Sequence, residues 1–168
     1  MNIAEKNKPF PSNKNYNLDS HKTSDVNQAH IINLPRHRHA NGSLTVAENG
    51  AEGMPFDVRR VFYLFDVPAD AERGGHSHYI AQELIVALTG SFDVVLDDGV
   101  NPPQRFTLNR PYQALYIPAG MWRTLDNFSG AAVCLVLTSE RYSEEDYVRE
   151  YHKFKKLTSN KLQNGQKI

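Results

Sequence analysis

Apolar and polar residues alternate in short runs along most of this chain, and glycine or proline interrupts the runs about every ten residues. Successive side chains of a strand point to opposite faces, so a period of two marks a half-buried strand. Gly42-Ser43-Leu44-Thr45-Val46-Ala47-Glu48 has this period and is followed by the turn signal Asn49-Gly50. Further strands are predicted over 58–65, 82–88, 91–96, 104–108, 114–117, 121–125 and 131–137. Thr89-Gly90 and Asp97-Asp98-Gly99 supply tight turns between them. Many short strands at even spacing predict an all-β sandwich or barrel.

The period changes near the end. Ser143-Glu144-Glu145-Asp146 reads as a helix start, with serine as N-cap and acids in the first turn. Tyr147, Tyr151 and Phe154 then fall at i, i+4 and i+7, an apolar stripe predicted to cover one side of the barrel. Residues 1–28 are rich in Asn, Lys, Ser and Asp and too poor in aliphatics to offset their ordering entropy. The expected division is a polar tail over 1–28, one domain over 29–157 and a second polar tail over 158–168.

Composition narrows the function classes. The 168 residues carry 19 basic and 19 acidic side chains, so net charge gives no attraction to nucleic acid or to an anionic membrane. No apolar run approaches the ~18 residues of a spanning helix, and the N-terminus lacks the apolar core of a signal peptide. The single cysteine, Cys134, lies in the apolar run Val133-Cys134-Leu135-Val136-Leu137 and reads as a packed thiol. These features lead to the expectation of a soluble cytoplasmic domain.

The chemistry centres on Arg73-Gly74-Gly75-His76-Ser77-His78. On an extended backbone two histidines two residues apart share a face. Facing inward they form a pair of bases or ligands; facing outward they are solvated. A second pair, His37 and His39, follows Pro35 in a polar stretch and reads as a solvated loop. Two inward readings stand side by side. His76, His78 and Glu83 offer a facial metal triad. Alternatively, a histidine takes a proton beside a ketone while Arg73, a tyrosine such as Tyr63 or the other histidine stabilises the enolate oxygen. Gly74-Gly75 beside Arg73 allows a ligand to approach the backbone closely.

The spacing His76-x-His78, Glu83, Gly90 resembles the first motif of the cupin superfamily of double-stranded β-helix (jelly-roll) barrels. Pro118-x-Gly120 through Asn127 resembles the second, with Arg123 where that motif has its ligand histidine. Arginine stays protonated and is no practical ligand, which weighs against metal. Arg73-Gly74-x-His76 is also similar to the deoxysugar 3,5-epimerases. Over residues 31–154 the likeness becomes closer, to the nucleotide-sugar 3,4-ketoisomerases that act on dTDP-4-keto-6-deoxyglucose. It rests on Gly42-Ser43-Leu44, Arg59-Arg60-Val61-Phe62-Tyr63-Leu64-Phe65, the Arg73 to His78 stretch, Leu96-Asp97-Asp98-Gly99, Trp122 with Asn127-Phe128-Ser129, and Tyr142 with Asp146-Tyr147-Val148-Arg149-Glu150-Tyr151. Three positions depart from the family pattern: Asn41 where arginine is frequent, Arg123 where histidine is frequent, and the order Gln82-Glu83.

The resemblance implies a cupin barrel with a C-terminal helix, acting as a cytoplasmic homodimer without metal or cofactor, in deoxysugar biosynthesis for surface glycans. It implies proton transfer through an enediol, with His76 as the preferred base and His78, Arg73 and Tyr63 as its catalytic company. Arg60, Arg105 and Arg123 are candidate cations for the diphosphate, and Tyr116 and Trp122 candidate stacking aromatics. Strand parity places Arg60 and Tyr63 on opposite faces, so only one of them can belong to the site. The competing readings are a non-catalytic sugar-binding cupin and a metal-dependent cupin oxygenase.

Overall fold

The computed structural model describes residues 24–163. Twelve strands, β1 (His30–Asn33), β2 (Arg36–His39), β3 (Gly42–Thr45), β4 (Arg60–Leu64), β5 (Arg73–His78), β6 (Glu83–Thr89), β7 (Phe92–Asp97), β8 (Gln104–Leu108), β9 (Gln113–Ile117), β10 (Trp122–Asp126), β11 (Val133–Thr138) and β12 (Tyr147–Val148), precede one helix, α1 (Tyr151–Gln163). Two five-stranded antiparallel sheets, ordered β1-β9-β6-β11-β4 and β12-β5-β10-β7-β8, face each other as a jelly roll. The sheets stay separate rather than closing into one hydrogen-bonded ring.

Alternation decides what fills the space between them. Ile85 and Ala87 of β6, Leu115 and Ile117 of β9, and Cys134 and Val136 of β11 meet Phe92, Val94 and Leu96 of β7 and Leu125 of β10. The other face of the first sheet is apolar as well. Leu84, Val86, Ala114 and Leu137 pack there beneath Met54, Phe56 and Val58. The loop carrying those three residues covers only part of the face. Val61, Tyr63 and Phe65 beside it are 55%, 61% and 58% exposed.

Val26, within the segment expected as a polar tail, is buried in the core, and its backbone N–H donates to Asp98. At the other end α1 continues to Gln163, past the expected boundary at 157. The β2–β3 hairpin forms a detached two-stranded sheet, so His37 and His39 lie on an exposed strand rather than in a loop.

The helix start is a correction. Only a 3-10 turn spans Glu144–Asp146; Tyr147 and Val148 are extended and pair with His78 and Ser77 of β5, and α1 begins at Tyr151. Local preference for helix is a few tenths of a kcal/mol per residue, and burying Asp146 against β5 outweighs it. Of the expected stripe, Phe154 buries against Tyr79, Val148 and Trp122, and Tyr151 packs on Trp122 while partly exposed; Tyr147 leaves the stripe to pair with β5.

Candidate active site

The site lies in one cross-strand row. Arg60 of β4 stands opposite Thr138 of β11, which stands opposite Glu83 of β6. Facing them, His76 of β5 stands opposite Arg123 of β10. Arg73 lies three residues before His76, a spacing that normally gives opposite faces. A bulge interrupts the pairing, since β5 spends three residues, from Arg73 to His76, against two on β10, from Leu125 to Arg123, and Arg73 stays exposed. Gly74 carries the bulge at φ 75°. A Cβ there would collide with the Arg123 guanidinium and lie 2.8 Å from Leu125 Cδ1, so both conformation and space require glycine.

The two imidazoles sit edge to face with ring centroids 5.0 Å apart. Tyr147 packs its ring on both, at 4.9 Å from His76 and 4.4 Å from His78. His78 Nδ1 donates to Asp146 Oδ2 at 2.9 Å. Its Nε2 points toward Glu83 Oε1 at 3.6 Å, too far for a hydrogen bond. The Nε2 atoms of both histidines are buried without a partner. Behind them Arg123 donates to both Glu83 oxygens, through Nε and, at 3.0 Å, through Nη2. Both ions are almost fully buried, at 3% and 1% exposure.

Electrostatics split the histidines. Burial, then the Arg123 charge, push His76 down to about 2, so it stays a neutral base. Burial alone would lower His78 too, but the carboxylates of Asp146 and Glu83 outweigh it and raise its pKa. Burial would raise Glu83, yet Arg123 and His78 hold it well below the usual carboxylate range. One imidazole shifted up beside one shifted down gives the two rings different affinities for a proton, the separation that donor and acceptor roles need.

Above the pair, Arg60 Nη2 donates to the Tyr147 hydroxyl at 3.2 Å, and the guanidinium lies over the rings of Phe62 and Tyr142. Arg60 Nε is buried without a partner. Arg149 stacks over Tyr147 at 4.2 Å and is fastened to Glu144 through two hydrogen bonds.

The structure therefore gathers His76, His78, Arg123 and Arg60 from the residues expected in sequence. Arg73 is exposed and borders a depression of about 420 Å³ with Tyr63, Phe65 and Glu72. Five expected residues, Arg73 among them, do not join the cluster. Tyr63 stands opposite Leu135 on the outer face of β4, while its neighbour Phe62 turns inward. Arg105 lies outside the second sheet, locked to Asp93 and Asp126. Tyr116 lies on the outer face of β9 and donates to Gln82. Trp122 packs under α1 against Tyr151 and Phe154. Arg123 joins the cluster, but as the partner of Glu83 rather than as a free cation. The residues without an expected role in the site are Asp146, Tyr147 and Arg149. Their segment was legible as a motif, but its reading as helix put Tyr147 on a packing stripe.

The metal reading meets a chemical obstacle. His76, His78 and Glu83 offer ligand atoms within 4.8 Å of one another. Both Glu83 oxygens are already engaged by a guanidinium, and a divalent cation beside it would be repelled. These donors do not fit a catalytic metal, and no step is routed through one.

Fold and site together define a cupin-type jelly roll with an adjacent histidine pair, its Nε2 atoms buried, backed by a guanidinium–carboxylate pair. Residues 27–159 match the family described as FdtA: WxcM-like, C-terminal. The chain belongs to this family. It is 39% identical over 126 residues to the TDP-4-oxo-6-deoxy-alpha-D-glucose-3,4-oxoisomerase of Aneurinibacillus thermoaerophilus, covering 75% of this chain and 89% of that protein. The TDP-quinovose 3,4-ketoisomerase WlaRB of Campylobacter jejuni superposes with TM-score 0.73 at 38% identity, over 78% of this chain and 99% of that one. A histidine-to-asparagine variant of the 3,4-ketoisomerase QdtA from Thermoanaerobacterium thermosaccharolyticum, in complex with TDP-4-keto-6-deoxyglucose, superposes with TM-score 0.74 at 32% identity, over 79% and 94%.

Proposed function

We propose that this protein is a sugar-nucleotide 3,4-ketoisomerase that converts TDP-4-keto-6-deoxyglucose to a TDP-3-keto-6-deoxyhexose. The observation that carries the reading is the pair of adjacent imidazoles whose buried Nε2 atoms have no protein partner. Each is a proton-handling atom left available for a ligand. The 3,4-ketoisomerases among its relatives supply the substrate class.

The chemistry follows from the split in charge. His76, neutral, takes the C3 proton of the 4-ketone. The electrons move into a C3–C4 double bond and onto the C4 oxygen, beside which the His78 imidazolium stabilises the developing charge. With a proton gained at O4 the enediol is complete. Loss of the O3 proton and return of a proton to C4 leave the ketone at C3. Hydrogen lost at C3 is matched by hydrogen gained at C4, so no external oxidant is needed. Arg60, with its buried free Nε, is the cation best placed to meet the diphosphate.

The decisive experiment is incubation with TDP-4-keto-6-deoxyglucose in deuterated water. Deuterium entering the sugar ring, together with a 3-keto product trapped by a 3-aminotransferase, is expected. Binding of the nucleotide sugar with neither exchange nor product would instead make this a non-catalytic sugar-binding cupin.

A homodimer in the cytoplasm is part of the same reading. It is supported by the incompletely covered outer face of the first sheet, where Val61, Tyr63 and Phe65 lie exposed on and beside edge strand β4. A groove of about 470 Å³ lined by Leu34, Val86, Leu88, Leu135 and Leu137 continues it. The purified protein is expected to sediment as a dimer, and a Val61→Ser/Tyr63→Ser/Phe65→Ser variant as a monomer. A wild-type monomer at micromolar concentration would remove the dimer from the proposal.

A further inference from the structure

Asp146 is 3% exposed and anchored at both carboxylate oxygens. Oδ1 accepts the Ile80 N–H at 2.8 Å; Oδ2 accepts the Ala81 N–H at 3.3 Å and His78 Nδ1–H at 2.9 Å. Its own backbone is pinned as well, since its carbonyl accepts the Tyr79 N–H at 2.9 Å. A carboxylate held this way cannot swing to become a base itself. We infer that Asp146 is the positioning residue of His78, fixing the ring so that Nδ1–H meets the carboxylate and Nε2 is presented to the sugar oxygens.

The inference rests on the isomerase reading and deepens it. Five charged or titratable groups surround His78: Asp146 from the 3-10 turn, Glu83 from β6, Arg123 from β10 behind Glu83, Tyr147 from β12, and His76 on its own strand. Two carboxylates, one guanidinium and one imidazolium leave the buried cluster neutral. Removing the Asp146 charge breaks that balance and removes the acceptor that selects Nδ1–H. An amide in its place offers an N–H to Nδ1, which drives the ring proton to Nε2 and turns the donor toward Glu83.

Asp146→Asn is therefore expected to lower kcat on the order of 100-fold with little change in KM, the scale of a misoriented acid–base imidazole. The limb of the pH–kcat profile that reports His78 losing its proton should move to lower pH. The 15N signals of the His78 ring, recorded without substrate, should change from those of an imidazolium to those of a neutral ring. Asp146→Glu, which keeps the charge, should restore the limb even if it restores kcat only in part. Unchanged 15N signals and an unmoved pH limb in a folded Asp146→Asn protein would overturn the inference. Equal losses in both variants with the wild-type limb would also overturn it, since that pattern is a packing defect. Should the wild-type protein fail to turn over the ketosugar, the isomerase reading falls, and the 15N signals still decide the positioning on their own.

Discussion

His76→Asn is expected to lower 3,4-ketoisomerisation by about three orders of magnitude, within the range contributed by a positioned general base. Asparagine keeps the approximate size of the ring and removes its basicity. Tyr147 also packs on His78 and accepts from Arg60, and Arg123 is held by Glu83, so both neighbours keep contacts that do not involve the His76 ring. Affinity for TDP should therefore persist, measured by calorimetry beside the turnover assay. Deuterium exchange at C3 should vanish with turnover, because His76 is assigned to the first proton. If exchange at C3 survives in His76→Asn and disappears in His78→Asn, the two imidazoles have the opposite roles. Turnover near the wild-type rate in His76→Asn would reject the assignment outright.

Arg123→Leu should cost about 3 kcal/mol of folding stability, the lower part of the range for breaking one side of a buried ion pair. The substitution leaves the Glu83 carboxylate buried at 1% exposure without the two hydrogen bonds from the guanidinium. His78, 3.6 Å away with its pKa raised by the neighbouring carboxylates, stays as a partial counter-ion, which is why the loss falls short of the upper end. The double variant Glu83→Gln/Arg123→Leu should recover part of the loss, because no uncompensated charge remains. Urea unfolding of the wild type, both single variants and the double variant measures the coupling. Equal stability of wild type and Arg123→Leu would show that Glu83 is not ionised in the folded protein. The Arg123 charge also depresses His76, while Glu83 acts the other way, so Arg123→Leu should make His76 easier to protonate.

Much of the architecture was legible from pattern. The apolar run holding Cys134 and Val136 forms a strand where the sequence predicted one, and those two side chains lie in the core. The histidine pair was legible for the same reason, since extended backbone forces positions two apart onto one face. Parity even stated that Arg60 and Tyr63 could not both serve, and the register of β4 against β11 selects Arg60. Which face is inward was not legible there, because Val61, Tyr63 and Phe65 are as apolar as Phe62 and Leu64. Arg105 and Tyr116 were plausible by residue type alone. Only their sheet positions place them outside, one tied to Asp93 and Asp126, the other to Gln82.

Asp146 and Tyr147 show the limit most clearly. A serine, three acids and an aromatic stripe favour a helix locally, and that preference is small. The competing term is a contact across 68 residues of chain, His78 to Asp146, which local pattern does not contain. By itself the sequence determined an all-β sandwich or barrel, two histidines sharing one face and the resemblance to the 3,4-ketoisomerases, because each follows from short-range periodicity or contiguous motifs; that the shared face is buried was decided by the fold. The tertiary structure alone decided that the pKa of one imidazole falls while that of the other rises, since this depends on burial and on how Glu83, Arg123 and Asp146, distant in sequence, surround the two rings.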